Sequence, residues 1–140
     1  MTEQLYNAYG DQINFVILYV IEPHPYQQIC PYTGNYWLNS NNDYKDPITS
    51  KVWPLYQPTS YEWRIDQATR MKEQLLTKVP AIPVAVDRMD NPFWCTYGPA
   101  PNIGYLIDTT GTIVGKVPWY NPRNNGNVTI EPAIQSLLSK

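Results

Sequence analysis

The sequence has too few cysteines and too short an apolar run for several classes of protein. It contains two cysteines, Cys30 and Cys95, which are too few for a disulfide scaffold and lack C-x-x-C or metal-ligand spacing. No apolar run approaches the roughly 18 residues that a membrane span needs. The first residues, MTEQ, lack the basic and apolar regions of a signal peptide. We therefore expect no membrane association and no metal. The compartment stays open, with a cytoplasmic chain indicated only by the absence of a targeting segment.

Charge of either sign is also sparse. Ten basic and 12 acidic residues leave a formal net charge of -2, and no run of like charges stands out. This balance argues against a nucleic-acid-binding surface, which is usually strongly basic. No motif in the chain indicates a cofactor. A length of 140 residues predicts one domain with a single core.

Prolines and tyrosines are abundant instead, at 14 and 12 residues, and one apolar stretch stands out among them. Ile13 to Val20 reads INFVILYV without alternation, which predicts a strand covered on both faces, as in a parallel sheet. Prolines then end the strand, and Glu22 and the single histidine, His24, follow it. Ligands collect at the carboxyl ends of such strands. The plainer alternative is a loop histidine with an acid nearby.

A polar, proline-punctuated and aromatic segment, Tyr26 to Pro58, comes next and is predicted to be a long insertion. Loops of this length inside a compact domain usually carry function or move. Its aromatic side chains either line a groove or partner surface, or they fold back and cover the sheet. They are Tyr32, Tyr36, Trp37, Tyr44, Trp53 and Tyr56.

Alternating helix and strand signals fill the rest of the chain. Thr59 to Glu62 matches a capping box, and an apolar stripe at helical spacing follows it and should lie on the sheet. The stripe consists of Ile65, Ala68, Met71 and Leu75. Helices are also predicted over Thr2 to Tyr9 and Ile130 to Leu138. A buried strand is predicted over Val84 to Val86 and ends at Asp87. Two further strands, Ile103 to Ile107 and Thr112 to Val117, are predicted to be joined by a turn at Asp108 to Gly111.

This order is the order of a thioredoxin-like fold whose beginning is missing. We expect an α/β domain over residues 1–140 with a mixed sheet flanked by helices. The strand and turn that start a thioredoxin-like fold have no counterpart here. Because that strand is normally central, its absence predicts an open strand edge and, through that edge, a homodimer, domain swapping or aggregation.

Three segments resemble the iodothyronine deiodinase family and its microbial thioredoxin-like relatives. Tyr19 to Pro25 resembles the family's Y-I-E-E-A-H-P segment, and Ser60 to Ala68 resembles its S-x-E-x-R-V-x-x-A helix. Val86 to Gly98 resembles V-D-x-M-D-N-x-x-x-x-A-Y-G with its spacing intact, and is the most specific of the three. Tyr105 to Ile107 also resembles the end of the family's L-Y-V-I strand.

The resemblance implies a thiol- or selenol-dependent reductive enzyme. A thiolate or selenolate attacks a small-molecule substrate, a thiol reductant restores it, and a nearby acid supplies the proton. Glu22 and His24 match the proton-handling positions, and Glu22 is placed to hold the tautomer of His24. Pro101 lies near the position of a cis-proline that faces the nucleophile. We expect Asp87, Asp90 and Asn91 to be turn and capping residues rather than catalysts.

The departures from the family are equally specific. No residue aligns with the nucleophile, since Cys30 follows the strand that it should precede. Ile103 replaces an arginine, and Val117 to Tyr120 replaces a glycine-rich segment. We expect a truncated reading frame, with a selenocysteine or cysteine just upstream of Met1. The alternatives are a non-catalytic binding or structural subunit that uses the aromatic insertion as its contact surface, and a redox-active pair of Cys30 and Cys95.

Overall fold

The computed structural model describes residues 2–22, 25, 28–31, 34, 44–45, 52–53, 56–98, 103–117 and 130–139, and the fold is mixed α/β. Its elements in chain order are α1 (Thr2–Tyr9), β1 (Ile17–Tyr19), β2 (Tyr44–Lys45), β3 (Val52–Trp53), α2 (Tyr61–Leu75), β4 (Val84–Val86), α3 (Pro92–Tyr97), β5 (Gly104–Ile107), β6 (Ile113–Val117) and α4 (Glu131–Leu138). The described strands form three two-stranded sheets rather than the single mixed sheet that the sequence predicted. None of the described helices is long and apolar enough to cross a bilayer. The chain divides into two compact units, residues 10–99 and residues 1–9 with 100–140, and the single domain stays a prediction.

The parallel pair β1–β4 organises the unit of residues 10–99. Ile17 is in register with Val84 and Tyr19 with Val86, which confirms the predicted parallel pairing. Strand β1 is shorter than the apolar run that predicted it, whereas β4 has the predicted bounds. The expected burial of both strands is wrong. Residues 17–19 are all partly exposed, Val16 is 62% exposed, and β4 is likewise partly exposed or exposed throughout.

Helix α2 begins one residue later than the predicted capping box requires. Ser60, not Thr59, is the N-cap, and its hydroxyl oxygen accepts a hydrogen bond from the Trp63 amide at 3.2 Å. This bond satisfies one of the amides that the first turn leaves without a helical partner. Glu62 therefore falls one position before the place where its side chain would complete the box.

The buried face of α2 differs from the predicted apolar stripe. Ala68 is buried at 2% exposure, but Ile65 and Leu75 are 41% and 63% exposed. Arg64 and Gln67 are buried in their place. The stripe prediction is wrong because polar groups near the carboxyl ends of β1 and β4 supply hydrogen bonds to these two side chains.

The connection after β4 contains α3, a short helix that the sequence did not predict. Pro92 occupies its first turn, where a missing amide costs nothing. Asn91 precedes it with φ 51°, in the left-handed region that asparagine tolerates better than most residues. Gly98, with φ 123°, follows its last residue.

The other unit contains a hairpin and two helices. Strands β5 and β6 pair antiparallel, as predicted. Between them the Asp108 carboxylate accepts from the amides of Thr110 and Thr112 at 2.9 and 3.0 Å, and Gly111 takes φ 87°. The Tyr9 hydroxyl donates to Glu131 at 3.1 Å and so links α1 to α4.

Part of the predicted insertion is described. Strands β2 and β3 pair antiparallel within it, and Tyr56 near its end is partly exposed. Most of its aromatic side chains lie outside the described residues, so their predicted roles stay predictions.

Candidate functional site

Buried polar side chains mark one end of the β1–β4 pair. In the described part of the chain, the buried polar or charged residues are Glu22, Arg64, Gln67 and Asp87, at 8%, 2%, 7% and 4% exposure. Glu22 follows β1 and Asp87 follows β4, and Arg64 and Gln67 reach the same region from α2. The carboxyl ends of parallel strands lie at one edge of the sheet, where α/β proteins place their ligands.

The carboxylate of Glu22 belongs to a hydrogen-bonded chain. The Tyr19 hydroxyl lies 3.4 Å from Glu22 Oε2 and 3.0 Å from Gln67 Oε1. Gln67 in turn donates from Nε2 to the Tyr56 carbonyl at 3.0 Å, which fixes the orientation of its amide. Because a hydroxyl donates one proton at a time, Glu22 and Gln67 compete for the Tyr19 proton.

The backbone of Glu22 is held by the end of the insertion. Its amide donates to Gln57 Oε1 at 3.1 Å, and Gln57 Nε2 donates back to the Glu22 carbonyl. The Gln57 amide donates to Gln28 Oε1 at 2.7 Å. Residues near both ends of the insertion therefore meet at Glu22 and fix the chain direction after β1.

The guanidinium of Arg64 joins α2 to the connection after β4. Its Nη1 donates to the carbonyls of Asp87 and Arg88 at 3.2 and 2.6 Å. The same nitrogen donates to Asn91 Oδ1 at 2.8 Å. These bonds hold the segment between β4 and α3 in place.

The Asp87 carboxylate caps α3 from outside the helix. It accepts from the amides of Arg88, Phe93 and Trp94 at 3.0, 3.3 and 3.1 Å. Two of these amides belong to the first turn of α3, which has no helical acceptor for them. The predicted capping role of Asp87 is confirmed.

Burial and nearby charges in this region change the pKa of Tyr19. Burial is the main cause that raises the pKa of Tyr19 well above its ordinary value. The negative charge of Glu22 and its hydrogen bond to the hydroxyl raise the pKa of Tyr19 further, whereas the positive charge of Arg64 lowers it. Opposite charges from Glu22 and Arg64 thus act on the same phenol.

The structure describes only some of the predicted site residues. Glu22 lies in the buried cluster, but His24 and Pro101 fall outside the described residues. Cys30 is a buried thiol and Cys95 an exposed one on α3, with no disulfide between them. The redox role of these thiols stays a prediction. Among the residues that the structure describes, no three or more His, Cys, Asp or Glu side chains are grouped so that they could hold a metal ion.

Tyr19, Arg64 and Gln67 are the residues that sequence reasoning missed as members of the site. Arg64 and Gln67 are one helical turn apart, so a polar pair at this spacing inside an otherwise apolar face was the available signal. Tyr19 gave none, because a tyrosine at the end of an apolar run is typical of a strand.

No family model, curated protein or solved structure matches the chain.

Proposed function

We propose that this chain is a deiodinase-like redox domain of thioredoxin-like fold, acting in thiol- or selenol-dependent reduction of a small molecule. The site is the carboxyl end of β1 and β4. Glu22 handles the proton there. The nucleophile is a thiolate or selenolate of the segment that the resemblance places before α1, and a thiol reductant returns it to its reduced form.

One observation carries the proposal: the three segments that resemble the family meet at one place. Tyr19 and Glu22 come from the first segment, and Tyr19 contacts Gln67 of the second. Arg64, also of the second, binds Asn91 of the third. Residues far apart in the sequence thus form one buried polar cluster. This is expected if the resemblance reflects a shared site, whereas chance matches would be scattered.

The environment of Glu22 suits a group that exchanges protons with a substrate. At 8% exposure, its carboxyl is largely withdrawn from water and lies beside a phenol that the protein keeps protonated. Exchange between a carboxyl and a hydroxyl at hydrogen-bond distance needs no large movement. Homodimerisation belongs to the same proposal, supported by the 62% exposure of Val16 next to β1.

The test joins this chain to the segment encoded in frame upstream of Met1. We expect that segment to contain a strand followed by a Cys-Pro or selenocysteine-Pro turn, and the joined protein to reduce iodinated or disulfide substrates with dithiothreitol. Glu22→Gln should lower kcat by about 10²-fold or more, the usual contribution of a general acid. Glu73→Gln, an exposed change on α2, is the matched control and should leave kcat unchanged.

Two results would overturn the redox proposal. One is an upstream sequence without such a strand and turn. The other is a joined protein whose reductase activity is equal in Glu22→Gln and Glu73→Gln. A non-catalytic binding subunit would then be the better description, and the clamp of Gln28 and Gln57 on Glu22 would serve to hold the insertion.

A further inference from the structure

Only part of the Arg64 guanidinium is used by the protein. Its contacts with three acceptors all come from the two protons of Nη1, so at least one of these protons is shared. Nε is buried and has no hydrogen-bond partner, and no residue of the described chain accepts from Nη2. A guanidinium presents Nε and Nη2 as a parallel pair of donors. This pair, the Nε–Nη2 edge, is therefore unfilled in a side chain that is 2% exposed.

The positive charge of Arg64 also lacks an ion-pair partner among the residues that the structure describes. The ion pairs between described side chains join Arg70 to Asp66 and Arg88 to Asp90, and both are exposed. The nearby Asp87 carboxylate is occupied by three backbone amides. Arginine stays protonated in proteins, and burying its charge is costly unless an anion or a full set of hydrogen bonds compensates. Arg64 has three bonds to neutral oxygens and no anion in contact.

The location of Arg64 is that of a ligand site. It lies where β1 and β4 end, on the side of the sheet where open α/β proteins bind small molecules. Its charge acts on Tyr19, whose hydroxyl contacts Glu22 and Gln67. The unfilled edge is thus part of the same cluster as the polar groups after β1.

We propose that the Nε–Nη2 edge of Arg64 binds the carboxylate group of a small molecule. Two carboxylate oxygens match the two parallel donors in spacing and plane. A monoanion balances the single charge of Arg64, whereas a phosphate dianion would be repelled by Glu22 and Asp87 nearby. Because Arg64 is 2% exposed and its Nε is covered, only a small carboxylate suits this edge, and the atoms over Nε must move aside to admit it. This site does not depend on the redox activity.

Nuclear magnetic resonance of the arginine Nε–H groups tests the site in the unmodified chain. Sodium acetate should shift the Arg64 Nε–H resonance saturably at millimolar concentration, and sodium chloride at equal ionic strength should not. The Nε–H resonance of Arg70, an exposed arginine on the same helix, is the internal control and should not respond saturably. Inorganic phosphate at the same concentration should bind more weakly than acetate.

Two variants separate charge from geometry. Arg64→Lys keeps the positive charge but loses the paired donors, and should weaken acetate binding about tenfold or more, as expected for one lost charge-assisted hydrogen bond. Arg70→Lys makes the same change at the exposed site and should bind acetate like the parent. Circular dichroism checks that each variant is folded.

Several outcomes would overturn the proposal. An Arg64 resonance that shifts equally with chloride and acetate, or shows no saturable shift, leaves no carboxylate site. Tighter binding of phosphate than of acetate contradicts the assignment to a monoanion. If Arg64→Lys were to fold poorly, the acetate and chloride titrations of the parent chain would still decide the matter.

Discussion

Burial of a polar side chain costs free energy unless hydrogen bonds replace those that it made with water. Gln67 and Asp87 meet this condition through at least two bonds each. Arg64 meets it only through Nη1. At the residue scale, the cluster therefore combines fully satisfied groups that fix the backbone with one group that retains binding capacity. These two kinds of residue predict different responses to substitution.

Tyr19 predicts a loss of stability in strongly alkaline solution. Its pKa is raised above the ordinary value of 10.0 by burial and by Glu22. Below pH 10 the phenol is protonated in both folded and unfolded chains, so its full contribution to stability is present. Above pH 10 the unfolded chain releases this proton first, and stability should fall by up to about 1.4 kcal/mol per pH unit.

Urea denaturation at pH 9 and at pH 11 measures this effect of Tyr19. Tyr19→Phe removes the titrating group and should flatten the pH dependence relative to the parent. The control, Tyr61→Phe, changes an exposed tyrosine and should retain the parent slope. Equal slopes in the parent and Tyr19→Phe would contradict the prediction.

Among the capping residues, we expect substitution of Asp87 to cause the largest loss of stability. Asp87→Asn removes the negative charge from an acceptor of three amides and also places an NH₂ group among donors. The free energy of unfolding should fall by about 2 kcal/mol or more. Asp90→Asn, at an exposed neighbour paired with Arg88, should change it by less than about 1 kcal/mol. Similar losses in both variants would show that Asp87 does not stabilise α3.

At the element scale, the features predicted correctly are those that depend only on residues close together in the sequence. The turn at Asp108 to Gly111 was predicted because its hydrogen bonds and positive φ depend on its own residues. The start of α2 was predicted to within two residues for the same reason. The helix α3 was not predicted because Asp87, which caps it, lies outside the helix. Its carboxylate reaches the amides of the first turn only when the connection after β4 has folded. The buried face of α2 was predicted wrongly because Arg64 finds its partners on a distant segment.

The N-cap of α2 gives a prediction with a built-in comparison. Ser60→Ala removes the acceptor for the Trp63 amide and should cost about 1 kcal/mol of stability. Thr59→Ala, one residue earlier, should lower stability by no more than a few tenths of the loss caused by Ser60→Ala. Thermal or urea unfolding of the two variants decides between them. A larger effect at Thr59 would restore the capping box that the sequence first indicated.

Packing of β6 against α4 predicts that Gly115 has no room for a side chain. A Cβ at this position would lie 3.1 Å from the Ala133 Cβ and 3.3 Å from the Leu106 Cβ. Gly115→Ala should therefore destabilise by about 1 to 3 kcal/mol through overpacking. Adding Ala133→Gly should recover part of this loss, although glycine in a helix costs about 1 kcal/mol by itself. A double variant that is only the sum of the two singles would contradict this contact.

At the scale of the whole molecule, the chain has two compact units, and the buried polar residues among those described lie in one of them. Within the unit of residues 10–99, Gln57 joins the far end of the insertion to Glu22 and Gln28. Sequence reasoning identified the insertion by its length and composition. It did not predict this clamp, because a bond from the Gln57 backbone amide to the Gln28 side chain, 29 residues away, leaves no periodic signal in the sequence.

The rates at which the two thiols react with a thiol reagent show how cooperatively the unit of residues 10–99 unfolds. Cys95 is exposed and should react with a thiol reagent in the native protein, whereas Cys30, at 0% exposure, should react only when its surroundings open. If that opening is the unfolding of the whole unit, Ser60→Ala should raise the Cys30 labelling rate about fivefold, which corresponds to its loss of about 1 kcal/mol. If the insertion opens by itself, Ser60→Ala should leave the Cys30 rate unchanged. Because Gln57 bonds the insertion to Glu22 beside β1, we expect the fivefold increase, measured by mass spectrometry of timed samples.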